Sequence, residues 1–341
     1  MIRSDFVFSV DELRAWLKQQ DIRNPAIALG DDHSFRLMIP KYYLGLIDWA
    51  DGDDSLSKMV IISSLENDIH RYEVADPIAD KPHSPVPGIV HRHRDRCLLM
   101  LTNMCAVHCR FCFRKNMLSE NKADLSASMN YIASHSQIWE VILSGGDPFM
   151  FTDHFLTQII DRLNAIKHVK VIRFHTRVPA VYPARLTDSM TRILARIPSL
   201  TVVIHINHVR EITPEFVCAL DKLSKAGAML LSQSVLLKGV NDSPQALSQL
   251  FCRLVEAGVK PYYLHHLDAA AGTHYFRMSL ETGKKIVAML RERVSGTAIP
   301  TYVIDLPGGH GKYPVDMFQR RGANTYSLTT PTKTHIYTDH A

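Results

Sequence analysis

From Cys97 onward, short apolar runs alternate with segments in which apolar residues return every three or four positions. The runs predict strands over Leu98–Thr102, Val141–Leu143, Val169–Phe174, Thr201–Ile206, Met229–Ser234, Pro261–Leu264 and Thr301–Ile304. The segments between them carry helix start and stop signals. Thr213-Pro214 pairs a capping threonine with proline at the first helical position; Phe216, Leu220 and Leu223 share a face, and Gly227 ends the helix. Ser243-Pro244 opens a second, with Leu247, Leu250 and Leu254 on one face and Gly258 at its end, and Thr152-Asp153 opens a third. Such alternation predicts an α/β fold of parallel strands joined by crossover helices. Rhythm alone leaves a barrel and an open doubly wound sheet both standing. In either, ligands belong at the C-terminal ends of the strands.

Ahead of this region the chain is mixed, with helical stretches such as Val10–Lys18. Residues 76–88 carry four of the seventeen prolines and read as an extended connection. No internal repeat or low-complexity tract appears.

A hydrophobic share of 46% and a charged share of 21% fit an ordinary folded chain of 341 residues. The net charge of +5 is small for that length and makes no case for a nucleic-acid partner. No run is long and apolar enough for a membrane span, and the first twenty residues lack the apolar core of a signal peptide. The cytoplasm is therefore the expected location.

Three of the six cysteines fall within eight residues, as Cys105-Ala-Val-His-Cys109-Arg-Phe-Cys112. Clustered cysteines in a large cytosolic chain point to metal or redox chemistry rather than disulfides. Three thiolates on a [4Fe–4S] cube leave one iron open to a small molecule. Zinc held by these cysteines with His108 is the alternative. Cys97, Cys218 and Cys252 sit singly in apolar stretches and read as core.

Lys312 lies in the glycine-rich stretch Pro307-Gly-Gly-His-Gly-Lys-Tyr-Pro314. A Walker loop needs an earlier glycine where Leu306 stands and Ser or Thr where Tyr313 stands, so that reading fails. A surface turn remains the bland reading. His91-Arg92-His93-Arg94-Asp95-Arg96 reads either as a solvated basic turn or as an anion site. Ser144-Gly145-Gly146-Asp147 follows a predicted strand, and Asp268 and Asp305 end two others. Each aspartate alone is as well explained as a cap or loop residue.

Taken in order, SPVPG at 84–88, the cysteine triplet, SGGDP at 144–148, HINH at 205–208, QSVLLKGVND at 233–242, PYYLHHLD at 261–268 and DLPGGHGKYPV at 305–315 resemble the lysine 2,3-aminomutase family of radical S-adenosylmethionine enzymes. The resemblance covers about two thirds of the chain. It implies an incomplete (β/α)6 barrel over residues 84–300, with an N-terminal helical region over 1–83 and a C-terminal extension over 301–341. It implies three cofactors: a [4Fe–4S] cluster on Cys105, Cys109 and Cys112, S-adenosylmethionine, and pyridoxal 5′-phosphate on Lys312. By the same resemblance, Arg96 and Arg92 meet the coenzyme phosphate, and His93 stands where aminomutases can carry tyrosine. Ser144, Gly145, Gly146, Asp147, Gln233 and His205 meet S-adenosylmethionine. Arg114 meets the substrate carboxylate, while Asp268 and Asp305 meet its amino groups. Two acids favour lysine over glutamate, whose distal end is negative.

The expected reaction is therefore a radical shift of the amino group of L-lysine to give β-lysine. It needs an external electron donor and neither nucleic acid nor membrane. Glutamate or arginine as substrate, and a zinc-binding interaction protein, are the rival readings. No cysteine follows Cys252, so the C-terminal zinc cluster of some lysine aminomutases is not expected, and assembly into homo-oligomers is left open. The short C-terminus resembles the branch that supplies β-lysine for modifying elongation factor P, whereas DLPGGHGK is closer to the free-lysine enzymes.

Overall fold

The computed structural model describes residues 3–31, 35–117 and 123–340. The chain begins with β1 (Phe6–Val7), helix α1 (Val10–Gln19), β2 (Ile39–Pro40) and the short helices α2 (Lys41–Leu44) and α3 (Ser55–Val60). Helix α1 starts where Ser9 accepts the amide of Glu12, and it turns Val10, Leu13 and Leu17 inward.

A nine-stranded sheet follows in chain order: β3 (Ile89–His93), β4 (Arg96–Leu99), β5 (Glu140–Leu143), β6 (Val171–Thr176), β7 (Leu200–His205), β8 (Met229–Val235), β9 (Lys260–His265), β10 (Thr301–Leu306) and β11 (Gly311–Pro314). Strands β4 to β10 are mutually parallel, and β3 and β11 close the two edges antiparallel. The crossovers use α4 (Leu125–Ser134), α5 (Asp153–Asn164), the pair α6 (Val178–Val181) and α7 (Asp188–Leu194), α8 (Pro214–Lys225), α9 (Pro244–Glu256) and α10 (Leu280–Arg291). The two edge strands do not pair with one another, so the barrel stays open. The predicted caps form: Thr213, Ser243 and Thr152 each accept an amide from the first turn of their helix.

Two local differences matter for the site. The first parallel strand ends at Leu99 rather than Thr102, because the chain beyond it swings away to form the cysteine loop. The basic stretch before it is neither a free turn nor a coil. His91–His93 belong to β3, which pairs back on β4 with His93 opposite Arg96.

Buried apolar side chains form one continuous core from Phe6 to Tyr337. The N-terminal region thus packs on the barrel, and β10 lies inside the main sheet, so a boundary at residue 300 cuts through that sheet. Beyond it, β12 (Gln319–Arg320), β13 (Thr325–Thr329) and β14 (Thr334–Thr338) make a small antiparallel sheet. Cys97 is buried, but Cys218 is exposed: α8 buries Phe216, Ala219, Leu220 and Leu223, and Cys218 lies off that face. No helix among the described residues is long and apolar enough to cross a membrane.

Candidate active site

A cavity of about 690 Å³ runs along the inside of the barrel. Cys105, Cys109 and Cys112 line it, and so do Lys312, Asp268 and Asp305. It reaches past the C-terminal ends of the strands that sequence rhythm favoured, since Arg96 and Glu140 begin their strands and also line it.

The cysteine loop is fastened from behind. The amides of His108 and Arg110 bond to the carbonyls of Met38 and Met59, each at 2.9 Å. The fully buried Arg110 meets Glu66 through two bonds of 2.7 and 2.5 Å, and Lys115 reaches the same carboxylate at 3.0 Å. Arg177 places one guanidinium nitrogen 2.7 Å from the Cys109 sulfur and another 2.8 Å from Glu211. Burial pushes the three thiols up, Cys112 to about 11, with the neighbouring thiols adding to it at Cys105 and Cys112. A cationic metal centre would relieve that desolvation.

His108 takes no part in a metal cage. Its Nδ1 lies 2.8 Å from the Arg36 carbonyl, and its ring stacks on Phe35 at 4.7 Å. A [4Fe–4S] cube would place each thiolate on its own iron. The zinc alternative with His108 is therefore set aside.

Ser144, Gly145 and Gly146 pass close under the cysteine loop. A side chain at Gly146 would meet the Met104 carbonyl at 2.3 Å, so only glycine fits. Asp147 lines the cavity beside them. Its carboxylate accepts the Thr176 hydroxyl (2.7 Å) and the amides of Phe149 (3.0 Å), Arg177 (2.7 Å) and Val178 (3.2 Å). Those four donors occupy the carboxylate, which fixes the loop and the Arg177 backbone. His205 and Gln233 sit side by side on β7 and β8 and line the cavity. Burial, then the Arg177 charge, pushes His205 well below its ordinary pKa.

Lys312 stands on a hairpin. Strand β11 returns along β10 with Lys312 directly opposite Asp305, and the two side chains meet at 2.9 Å. Gly308, Gly309 and Gly311 all adopt positive φ, which the tight return needs. Gly309 packs on the ring of His83 and Gly311 on that of His93, and Gly311 also lines the cavity.

Charges of both signs fill the wall between. Burial, with the Asp305 charge beside it, pushes Asp268 up to about 8. Burial also opposes ionisation of Asp305, but Lys312 and His265 outweigh it and hold that carboxyl well below the usual range. Arg114 and Arg92 both line the cavity and both pair with Asp80 behind them, Arg114 at 2.9 Å. Asp80 lies in the proline-rich connection and went unnoticed in the sequence; so did Arg177, Arg173 and His175, each an isolated charged or polar residue in no motif. Buried nitrogens of Arg92, Arg173, His175 and His265, all cavity-lining residues, have no hydrogen-bond partner among the described residues. The Nε–H groups of Arg92 and Arg173 among them are donors and suit an anionic group.

A family model described as "4Fe-4S single cluster domain" matches residues 93–180. An L-lysine 2,3-aminomutase of Methanococcus maripaludis is 41% identical over 287 residues, which is 82% of this chain and 66% of that protein. One from Clostridium subterminale is 38% identical, covering 83% of this chain and 69% of its own length. One from Escherichia coli is also 38% identical, covering 84% and 85%. This chain belongs to the lysine 2,3-aminomutase family. A radical SAM methyltransferase from Sphaerobacter thermophilus superposes at a TM-score of 0.46 and 19% identity, over 63% of this chain and 68% of that one.

An aminomutase of this family works with a [4Fe–4S] cluster, S-adenosylmethionine and pyridoxal phosphate, and the cavity fits them on its own terms. It holds three half-buried thiols, a lysine, and unpartnered guanidinium nitrogens of Arg92 and Arg173.

Proposed function

We propose that this protein converts L-lysine to β-lysine by moving the amino group from carbon 2 to carbon 3. One observation carries the reading: the three cysteines, Lys312 and the pair Asp268 and Asp305 face a single cavity.

When bound, the cluster supplies an electron that cleaves S-adenosylmethionine, and pyridoxal phosphate supplies a π-system that spreads an unpaired spin. Cys105, Cys109 and Cys112 hold the cluster, and Arg177 keeps the Cys109 sulfur oriented. The floor of the S-adenosylmethionine site is Ser144, Gly145 and Gly146, with Gln233 and His205 on the wall. Lys312 anchors the coenzyme, and Arg96 and Arg92 face its phosphate. Arg114 binds the substrate carboxylate with a planar fork suited to it. Asp305 is ready as an anion, while Asp268 gives up its proton when a substrate ammonium arrives. Val90, Ile142, Val235 and Leu267 keep water from the reacting atoms.

In this reading an external donor supplies the electron, the protein works in the cytoplasm, and its β-lysine can serve the modification of elongation factor P.

The test is an anaerobic assay of reconstituted protein with reductant, S-adenosylmethionine and pyridoxal phosphate. L-Lysine should give β-lysine, and L-glutamate and L-arginine should give no β-amino acid. Turnover of glutamate or arginine in preference to lysine would overturn the assignment of Asp268 and Asp305.

A further inference from the structure

Away from the cavity, Asp68, His70 and His274 bring three metal-binding groups together. The Nε2 atoms of His70 and His274 lie 3.6 and 3.8 Å from the same oxygen, Oδ2 of Asp68. The two imidazole rings are 4.1 Å apart. All three ligand atoms fall within 4.8 Å of one another. We propose that these residues form a second metal site, taking one divalent transition-metal ion of the Zn²⁺ type.

The separations are those an ion would need. Ligands about 2.1 Å from a tetrahedral zinc lie about 3.4 Å from each other. Small inward movements of the three side chains close the difference. A proton on one ring would satisfy one imidazole–carboxylate pair, whereas a divalent ion satisfies all three groups.

The support behind the ligands is already in place, and this separates the cluster from a chance meeting of surface side chains. Glu73 is buried, and its carboxylate accepts the amide of His70 at 2.9 Å, that of Thr273 at 3.0 Å and that of His274 at 2.9 Å. One acid thus fixes the backbone of both histidines. The same carboxylate lies 3.8 Å from Nδ1 of His274. That nitrogen is buried and has no hydrogen-bond partner among the described residues. A histidine ligand commonly turns its second nitrogen to a carboxylate, which sets the tautomer and aims the first at the metal. His274 is posed in that way, with Nε2 toward Asp68 and Nδ1 toward Glu73.

The ligands come from segments some 200 positions apart. Next to them, Val74 bridges Ala270 in a parallel pair. The loop holding His274 begins at Asp268, and the segment holding Asp68 begins beside Glu66, the partner of Arg110 and Lys115. An ion here fastens the loop that carries a substrate acid to the segment that holds the cysteine loop. Its role is structural. Iron remains at the cysteines, and zinc sits at this outer site.

The experiment uses cluster-loaded holoenzyme, stripped of loose metal and dialysed anaerobically against buffered Zn²⁺. Zinc and iron per chain are read by elemental analysis, and thermal unfolding is followed with and without zinc. The wild type should hold one zinc per chain beside its full iron and unfold at a higher temperature with zinc. His70→Ala and Asp68→Asn, both at exposed positions, should keep their iron but bind zinc at least about tenfold more weakly and lose the thermal shift. His274→Ala should do the same; because it is more buried, circular dichroism checks its fold, and the two exposed variants decide the matter if it fails to fold. A wild type that retains no zinc would overturn the proposal. So would His70→Ala and Asp68→Asn proteins that bind zinc as tightly as the wild type. The readout is zinc rather than lysine turnover, so it stands apart from the assigned reaction.

Discussion

The cysteine loop and the lysine hairpin face the same cavity, yet they are fastened in opposite ways. Behind the cysteines, Arg110, Glu66, Lys115, Arg177 and Glu211 form buried ion pairs that reach into the N-terminal region. Behind Lys312 there is a glycine-rich return and one partner, Asp305, and about a third of the lysine side chain is exposed. A resident inorganic group needs its ligands held still. In the proposed reaction, a lysine that gives its coenzyme to a substrate and takes it back needs room to move and a nearby anion. The contrast teaches that the two halves of the chemistry ask for different mechanics from one barrel.

That comparison can be broken at several points. The largest effect is expected from Cys109→Ala, which should lose its cluster iron and fall to background turnover; full activity would remove the cluster from the account. Lys312→Ala should lose the visible absorbance of lysine-bound pyridoxal phosphate and at least about 100-fold in kcat, while keeping its iron. Unchanged absorbance would show that another lysine is used.

Asp268→Asn comes next. Removing one member of a buried charge pair costs about 3 kcal/mol or more, so KM for lysine should rise by roughly 100-fold. The variant also tests a pH dependence. Asp268 is held at about 8 in the free enzyme, so below that pH it is protonated and pairs poorly with an ammonium. For the wild type, kcat/KM for lysine should therefore rise as pH increases through about 8 and fall as pH drops below it. Asp268→Asn should lack that limb. A limb that persists in the variant assigns it to another group.

Asp80→Asn should cost about tenfold in kcat/KM, because Arg92 and Arg114 lose the acid that aims them. The smallest effect belongs to His108→Ala, with activity within about twofold of wild type and iron unchanged. A large loss of bound metal in that variant would return His108 to the metal site.

Much of this was legible in the chain. Apolar periodicity and caps such as Thr213 placed the helices within a residue or two, because those signals act over one or two turns. The cysteine spacing and the two strand-end aspartates pointed to residues that line one cavity. Other features were hidden because their meaning lies in contacts distant in sequence. Asp80 looks like part of a proline-rich linker until Arg92 and Arg114 close on it. The donors on the Asp147 carboxylate, Thr176 and the amides of 177 and 178, come from about 30 positions further along the chain. Arg177 belongs to no motif, and nothing near it in the chain announces Cys109.

The sequence by itself therefore determined the strand–helix rhythm, the thiolate triplet and the lysine among glycines, since each is written in neighbouring residues. Only the tertiary structure decided that β3 and β11 close the edges of the sheet, that His108 turns away to Phe35, and that Asp305 and Lys312 stand opposite one another. The reason is physical: hydrogen-bond register and buried charge pairing join positions tens to hundreds of residues apart, and no local pattern encodes which partner burial will select.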